Sequence, residues 1–240
     1  MTDGQTDIAG KVVLVTGAAT GIGRALAAGF RADGAHVAGC DLAARVDEAQ
    51  EVCDLAGACD VRDAAQVRAF VDAAIAKFGR LDVVVANAGI GRYAPVLDAG
   101  WSDIADVIEI NLFGVLHTLR AALPGMREQR SGRAIVLVSR HAELCPAELS
   151  GYSMSKAAVV ALTRTLSREL ADVDVLVNNL IPGPTLTEMN PRGSQEPDAV
   201  YPTARMLATL PPGGPSGRTF WDGQDYPIWS RFSTPARRED

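Results

Sequence analysis

Short runs of aliphatic and β-branched residues alternate along this chain with longer, Ala-rich stretches whose apolar positions recur at helical spacing. The runs read KVVLVT (11–16), AHVAGCD (35–41), a short one at about 57–60, LDVVVAN (81–87), RAIVLVS (133–139), DVLVNNLI (174–181) and GRTFW (217–221). Between them the pattern predicts helices over about 21–33, 45–52, 63–78, 102–126, 151–171 and 197–209. Strand and helix in regular alternation define a parallel sheet with crossover helices on both faces. The expectation is a three-layer, doubly wound α/β domain over 1–221 with a seven-stranded parallel sheet, followed by an irregular tail over 222–240. Gly34, Gly79 and Gly132 stand where helix ends or turns call for positive φ. The stretch LPPGGPSG (210–217) is too short for a domain linker and reads as the loop before the last strand.

Composition narrows the function classes. A chain of 240 residues that is 48% hydrophobic and 22% charged is an ordinary globular protein. Its net charge of −6 argues against nucleic acid, and its one basic cluster, Arg237-Arg238, is followed at once by Glu239-Asp240. The N-terminus lacks a basic n-region and the apolar runs are strand-sized, so no membrane partner and a cytoplasmic location are expected. Cys40, Cys53, Cys59 and Cys145 show no metal-ligand spacing and read as small buried thiols, with no metal site.

The first candidate chemistry is TGAATGIG (16–23), where Gly17, Gly21 and Gly23 close a strand and, with Thr20 and Ile22, open a helix. Such a turn lets backbone N–H groups approach a pyrophosphate at a helix N-terminus, although it also serves as a plain tight connection. Asp41, at the end of the second strand, is placed to accept hydrogen bonds from ribose hydroxyls. Its carboxylate repels a 2′-phosphate, and neither Thr20 nor Leu42 offers a cation to hold one, so NAD (NADH) is expected over NADP.

YSMSK (152–156) sets a tyrosine one turn before one of only three lysines in the chain. With TGAATGIG, DV (60–61), NAG (87–89), Asn111 in INLFG, Ser139 and PGPTLT (182–187), it makes an ordered series that resembles the classical short-chain dehydrogenase/reductase family to about residue 221. The resemblance implies a Rossmann fold and a role for each matching position. Asp60 and Val61 would bracket an adenine. Asn87, Ala88 and Gly89 would line the cofactor trough, and Pro182, Gly183, Thr185 and Thr187 would hold the nicotinamide end. Asn111 would hold a water in a proton relay beyond Lys156.

Hydride transfer to a carbonyl carbon leaves charge on oxygen, so a proton donor must stand beside it. Tyr152 can serve if its phenol is drawn towards neutrality, and a Lys156 cation on the same helix face favours the phenolate. Ser139 is placed to polarise the substrate oxygen. Structural alternatives are a strand-end cap for Ser139 and a helix-interior polar group for Asn111.

Two departures from the family pattern bear on substrate. After Ser139 the chain reads SRHAELCPAE (139–148), so Arg140 and His141 are candidates, with Pro184, for substrate contact; the alternative is that they face solvent or a partner subunit. Only NPRGSQE separates LTEM (186–189) from the helix at Pro197, where many relatives carry a flap, so the pocket is expected to be more open or to be closed by other parts. Tyr226, Trp229 and Phe232 make the tail a candidate lid or a plain wrap. A trimmed helix is expected between Asp41 and Asp60.

The helix YSMSKAAVVALTRTL is apolar almost all round, which predicts burial on one face and a homodimer or homotetramer contact on the other. The expected function is an NAD(H)-dependent oxidoreductase acting on a small-molecule secondary alcohol or ketone. The alternatives are a reductase of an imine or activated double bond, and a catalytically silent NAD-binding sensor or scaffold.

Overall fold

The computed structural model describes residues 7–229. Phe232, Arg237, Arg238 and the expectations attached to them lie outside the described residues.

The parallel strands are β1 (Val12–Thr16), β2 (His36–Asp41), β3 (Leu55–Ala58), β4 (Val83–Ala86), β5 (Ser131–Leu137), β6 (Asp174–Ile181) and β7 (Thr219–Trp221). A short β8 (Gln224–Asp225) returns antiparallel to β7. The sheet order is β3-β2-β1-β4-β5-β6-β7-β8. Chain direction across the sheet therefore reverses between β1 and β4, and a ligand crevice opens at the C-terminal ends of these two strands.

The helices are α1 (Gly21–Ala32), α2 (Val46–Gln50), α3 (Ala64–Phe78), α4 (Trp101–Ile108), α5 (Gly114–Glu128), α6 (His141–Leu144), α7 (Ser150–Glu169) and α8 (Tyr201–Ala208). Both faces of the sheet are covered, which is why its strands are apolar at nearly every position. Val12 and Leu14 of β1 join the core that includes residues of α3, α5 and α7. Val13 and Val15 join the opposite core with Leu26, Phe30 and Leu207 of α1 and α8. Wholly buried Leu119, like each such side chain, contributes about 1.5–3 kcal/mol relative to exposure.

Several boundaries differ from expectation. β3 lies earlier than 57–60, because Cys59 N–H already bonds Asp41 O at the end of the ladder. That leaves Asp60 and Val61 in the turn before α3. Gly132 has no positive φ; it sits in β5, where a Cβ would come within 2.6 Å of Met126 Sδ. Gly34 and Gly79 take positive φ as expected. The tail begins as a hairpin rather than irregularly, since residues 222–223 turn β7 into β8. Cys40, Cys53 and Cys59 are buried, but Cys145 is exposed, as the left-handed cap residue that ends α6.

The long helix predicted over 102–126 is continuous from Trp101 to Glu128 but carries a π turn at Glu109–Phe113, closed by Gly114 N–H bonding Glu109 O. By length and composition this stretch could cross a membrane, yet Val107, Val115, Leu119, Leu123 and Met126 are buried within the fold. The expected trimmed helix after β2 is present as a 3-10 turn, Ala43–Arg45, followed by α2.

Candidate active site

The glycine turn is built by backbone constraint. Gly17 and Gly21 have φ of +68° and +52°, a region that disfavours side chains. Gly23 is required for a different reason: a Cβ there would lie 1.9 Å from Gly17 O. Asn87 closes the turn from β4, donating through Nδ2 to Thr16 O at 2.9 Å and Gly17 O at 3.1 Å. Thr16 Oγ1 accepts in return from Asn87 N and Ala88 N. Thr20 stands at the N-cap of α1 with no side-chain cap bond, and partly buried Ile22 packs into the core beneath.

Asp41 reaches this turn. Its carboxylate accepts from Ala19 N at 2.9 Å and from Leu42 N at 2.8 Å, which fixes its direction and leaves further lone pairs for a ligand. Leu42 is exposed beside it. The narrow backbone cradle at Gly23, the helix start and the anchored carboxylate together fit a dinucleotide's pyrophosphate and ribose.

Further along the crevice, Asp60 is held by Arg62, whose Nε lies 3.0 Å from both its carboxylate oxygens. That guanidinium holds the Asp60 carboxyl below its ordinary range. The Val61 side chain turns inward, where a Cβ on Gly114 would meet it at 2.7 Å. Val61 O contacts His117 Nδ1, so Val61 is tied to α5 and what it can offer an adenine is main chain.

Asn111 lies inside the π turn and is fully buried. Its Oδ1 accepts from Ile90 N at 2.8 Å, while Nδ2 donates to Ile90 O at 2.9 Å and to Ser155 Oγ at 3.2 Å. The side chain thus pins the loop after β4, with Gly89 against it, to α7. Its donors are spent on these bonds.

Ser139, Tyr152 and Lys156 converge where β5 ends and α7 begins. Ser139 Oγ accepts from His141 N at 3.2 Å, which leaves the serine proton available to the Tyr152 phenol oxygen. Lys156 is buried and donates through Nζ to Leu137 O at 2.8 Å. Burial pushes its amine down to about 8. Its Nζ lies 5.7 Å from the centre of the Tyr152 ring. The Tyr152 phenol is raised above its ordinary value, chiefly by burial; a Ser139 hydrogen bond opposes the rise and neighbouring Tyr93 adds to it. The expected net lowering by the Lys156 cation is not met in the protein alone, because desolvation of the phenol outweighs the stabilisation of its charged form.

Arg140 and His141 part company. The Arg140 guanidinium lies 4.3 Å from the Trp221 ring centre, a cation–π contact that holds it against β7. The His141 ring meets Tyr152 edge-on, centroids 5.9 Å apart. Burial, and secondarily Arg140, lowers the imidazole pKa, which favours the neutral form at pH 7. Pro184 is exposed on the outer side of its loop, where its carbonyl accepts from Ser194 N at 2.7 Å.

The PGPTLT segment is braced from within. Thr185 is buried; its Oγ1 donates to Pro182 O at 2.9 Å and accepts from Gln195 Nε2 at 3.0 Å. Its hydroxyl proton is thereby used inside the loop, which leaves one acceptor lone pair for a ligand. Gln195 Nε2 also bonds Pro182 O, and Gly183 turns at φ +74° against Gln195 and Trp221. No motif marks Gln195; its bridge to Thr185 emerges only when the loop is folded. Thr187 reaches the glycine turn, and Met189 packs near Gly91. In place of the missing flap, Thr187–Met189 thus lies across the crevice.

The described tail packs on α6. Tyr226 Oη lies 2.9 Å from Glu143 Oε2, and Trp229 Nε1 donates to Ala142 O at 3.2 Å. It wraps the segment that carries Ser139 and His141.

The fold and this arrangement define a nucleotide-dependent α/β oxidoreductase, and the comparisons specify the family. The chain belongs to the short chain dehydrogenase family, whose model matches residues 11–198. It is 37% identical over 210 residues to D-threitol dehydrogenase of Mycolicibacterium smegmatis, covering 82% of this chain and 80% of that protein. It is also 37% identical over 218 residues to an "uncharacterized NAD-dependent oxidoreductase" of Mycobacterium tuberculosis, covering 81% and 76%. Among solved structures, 3-ketoacyl-(acyl-carrier-protein) reductase from Brucella melitensis, complexed with NADH, superposes with a TM-score of 0.83 at 29% identity over 91% of this chain and 98% of that one.

Proposed function

We propose that this protein is an NAD(H)-dependent oxidoreductase that interconverts a small secondary alcohol and its ketone, with Tyr152 as general acid and base. The observation that carries the reading is the convergence of Tyr152, Ser139 and Lys156 beside a backbone cradle that admits no side chain at Gly23. When bound, the nicotinamide would supply or accept the hydride at the carbonyl carbon. Tyr152 Oη gives its proton to the carbonyl oxygen in reduction and takes the alcohol proton in oxidation. Ser139, steadied by His141 N–H, directs its own proton at the same oxygen. Buried Lys156, shifted to about 8, is a proton-bearing group within reach of the phenol's ring. Asn111 orders the loop and helix around them.

Asp41, anchored at the glycine turn, supports NAD over NADP. The match to a relative named for D-threitol supports a small hydroxylated substrate. The largely neutral His141 imidazole beside Tyr152 suits an uncharged hydroxyl, whereas Arg140 is committed to Trp221. The free, buried thiols of Cys40, Cys53 and Cys59 fit a cytoplasmic enzyme.

The test is a panel of alcohols and ketones with NAD+ and NADH, followed by nicotinamide absorbance. Tyr152→Phe should reduce kcat by a factor of about 10²–10⁴ while leaving NADH binding within about twofold. Full activity in that variant would refute the assignment.

A further inference from the structure

Carboxylates hold the guanidinium groups around the expected adenosine end of the crevice. Arg24, next to the glycine turn, pairs with Glu51 at 2.6 Å, and Arg62 forks onto Asp60. Arg45, in the 3-10 turn that follows Asp41, lies 3.1 Å through Nη1 and 2.9 Å through Nη2 from the two oxygens of Glu188. The first two partners come from the same side of the switch point as their arginines. Glu188 does not: it comes from the loop after β6, on the other side.

The neighbours of Glu188 show how it gets there. A Cβ on Gly21 would lie 3.1 Å from Thr187 Cγ2, and one on Gly91 would lie 3.4 Å from Met189 Cγ. Thr187–Met189 therefore spans from the glycine turn to the loop after β4, and the Arg45–Glu188 pair fastens this strap on the adenosine side. Both side chains of the pair are exposed, at 39% and 69%, so the pair adds little to folding. Its consequence is local: the Nη1/Nη2 edge of Arg45 faces Glu188 and its charge is offset there.

A planar guanidinium with free donors is the side chain best matched to a phosphate. Arg45 N–H bonds the carbonyl of Leu42, the residue after Asp41, at 2.8 Å, so Arg45 stands in the turn that follows that carboxylate. Left free, it would be the group to receive a 2′-phosphate and offset the repulsion from Asp41. We propose that Glu188 is a second determinant of cofactor selection, which occupies Arg45 across the crevice and so acts with Asp41 to favour NAD over its 2′-phosphorylated form. This inference rests on the dinucleotide reading above.

Isothermal titration of NADH and NADPH against the wild type, Glu188→Ala and the double variant Glu188→Ala/Arg45→Met tests it without turnover. In Glu188→Ala the ratio of the NADPH Kd to the NADH Kd should fall about tenfold, the gain of one charge-assisted phosphate contact. The double variant should return to the wild-type ratio. An unchanged ratio in Glu188→Ala, or a fall that persists without Arg45, overturns the inference while NADH binding by the wild type still supports the cofactor reading. Wild-type protein that binds neither nucleotide overturns both.

Discussion

At the scale of single residues, the proposed chemistry turns on how one phenol is held. Burial raises the Tyr152 phenol above its usual value near 10, and the Ser139 hydrogen bond is the counterweight that lowers it. Alcohol oxidation needs the phenolate, so its rate should rise with pH through this ionisation; ketone reduction needs the phenol and should fall over the same range. Ser139→Ala removes the stabilising bond to the phenolate, so the alkaline limb of kcat for oxidation should move to higher pH. The rate at pH 8 should also drop by about 10²–10³, because a polarising donor is lost. A kcat–pH profile in which the limb stays in place or moves down would contradict this arrangement. The choice of Tyr152 and Ser139 as candidates was legible from residue type and order, because proton transfer to a carbonyl oxygen restricts which groups can serve. The direction of the phenol's shift was not, because desolvation depends on everything packed around it.

At the scale of elements, the turn from β1 to α1 and the strap after β6 follow different logics. Each glycine of the turn is demanded by backbone, and the spacing TGAATGIG announces it. Gly23→Ala sets a methyl against Gly17 O and Asn87 Nδ2, at 1.9 and 2.4 Å, so the turn must open. The expected cost is about 1–3 kcal/mol, read as a lower Tm, together with NADH binding weakened by at least about tenfold in titration. A variant with wild-type Tm and affinity would show that the helix start does not need this close approach. The strap carries no such signature. Gln195 and Glu188 are ordinary surface-type residues in sequence, and they gain roles only because a short loop folds back on Thr185 and crosses to Arg45. The π turn is likewise invisible to helical periodicity, which continues through Asn111 with one residue extra in the turn.

At the scale of the whole molecule, exposed apolar side chains remain that the described fold does not cover. Leu97, Trp101, Phe113 and Met154 are exposed, Leu97 at 94% and Trp101 at 79%. A groove of about 670 Å³ between α5 and α7 is lined by Leu116, Leu123 and Leu166 together with Arg120, Arg127 and Glu169. A second copy of the chain would cover both, and α7 was expected to meet one. Light scattering on the eluting protein should therefore give a dimer or tetramer of the 25.3 kDa chain. A single species at the monomer mass would exclude that assembly.

Read alone, the sequence determined the doubly wound α/β class, the glycine turn, the acid that closes it and the tyrosine–lysine pair, because these depend on local period, backbone freedom and chemical type. Tertiary structure alone decided that Arg140 lies on Trp221 while His141 meets Tyr152, that the Thr185 hydroxyl proton is spent inside its loop, and that Arg45 is held by Glu188. These outcomes depend on which side chains long-range packing brings together, and partners separated by most of the chain leave no periodic or compositional trace.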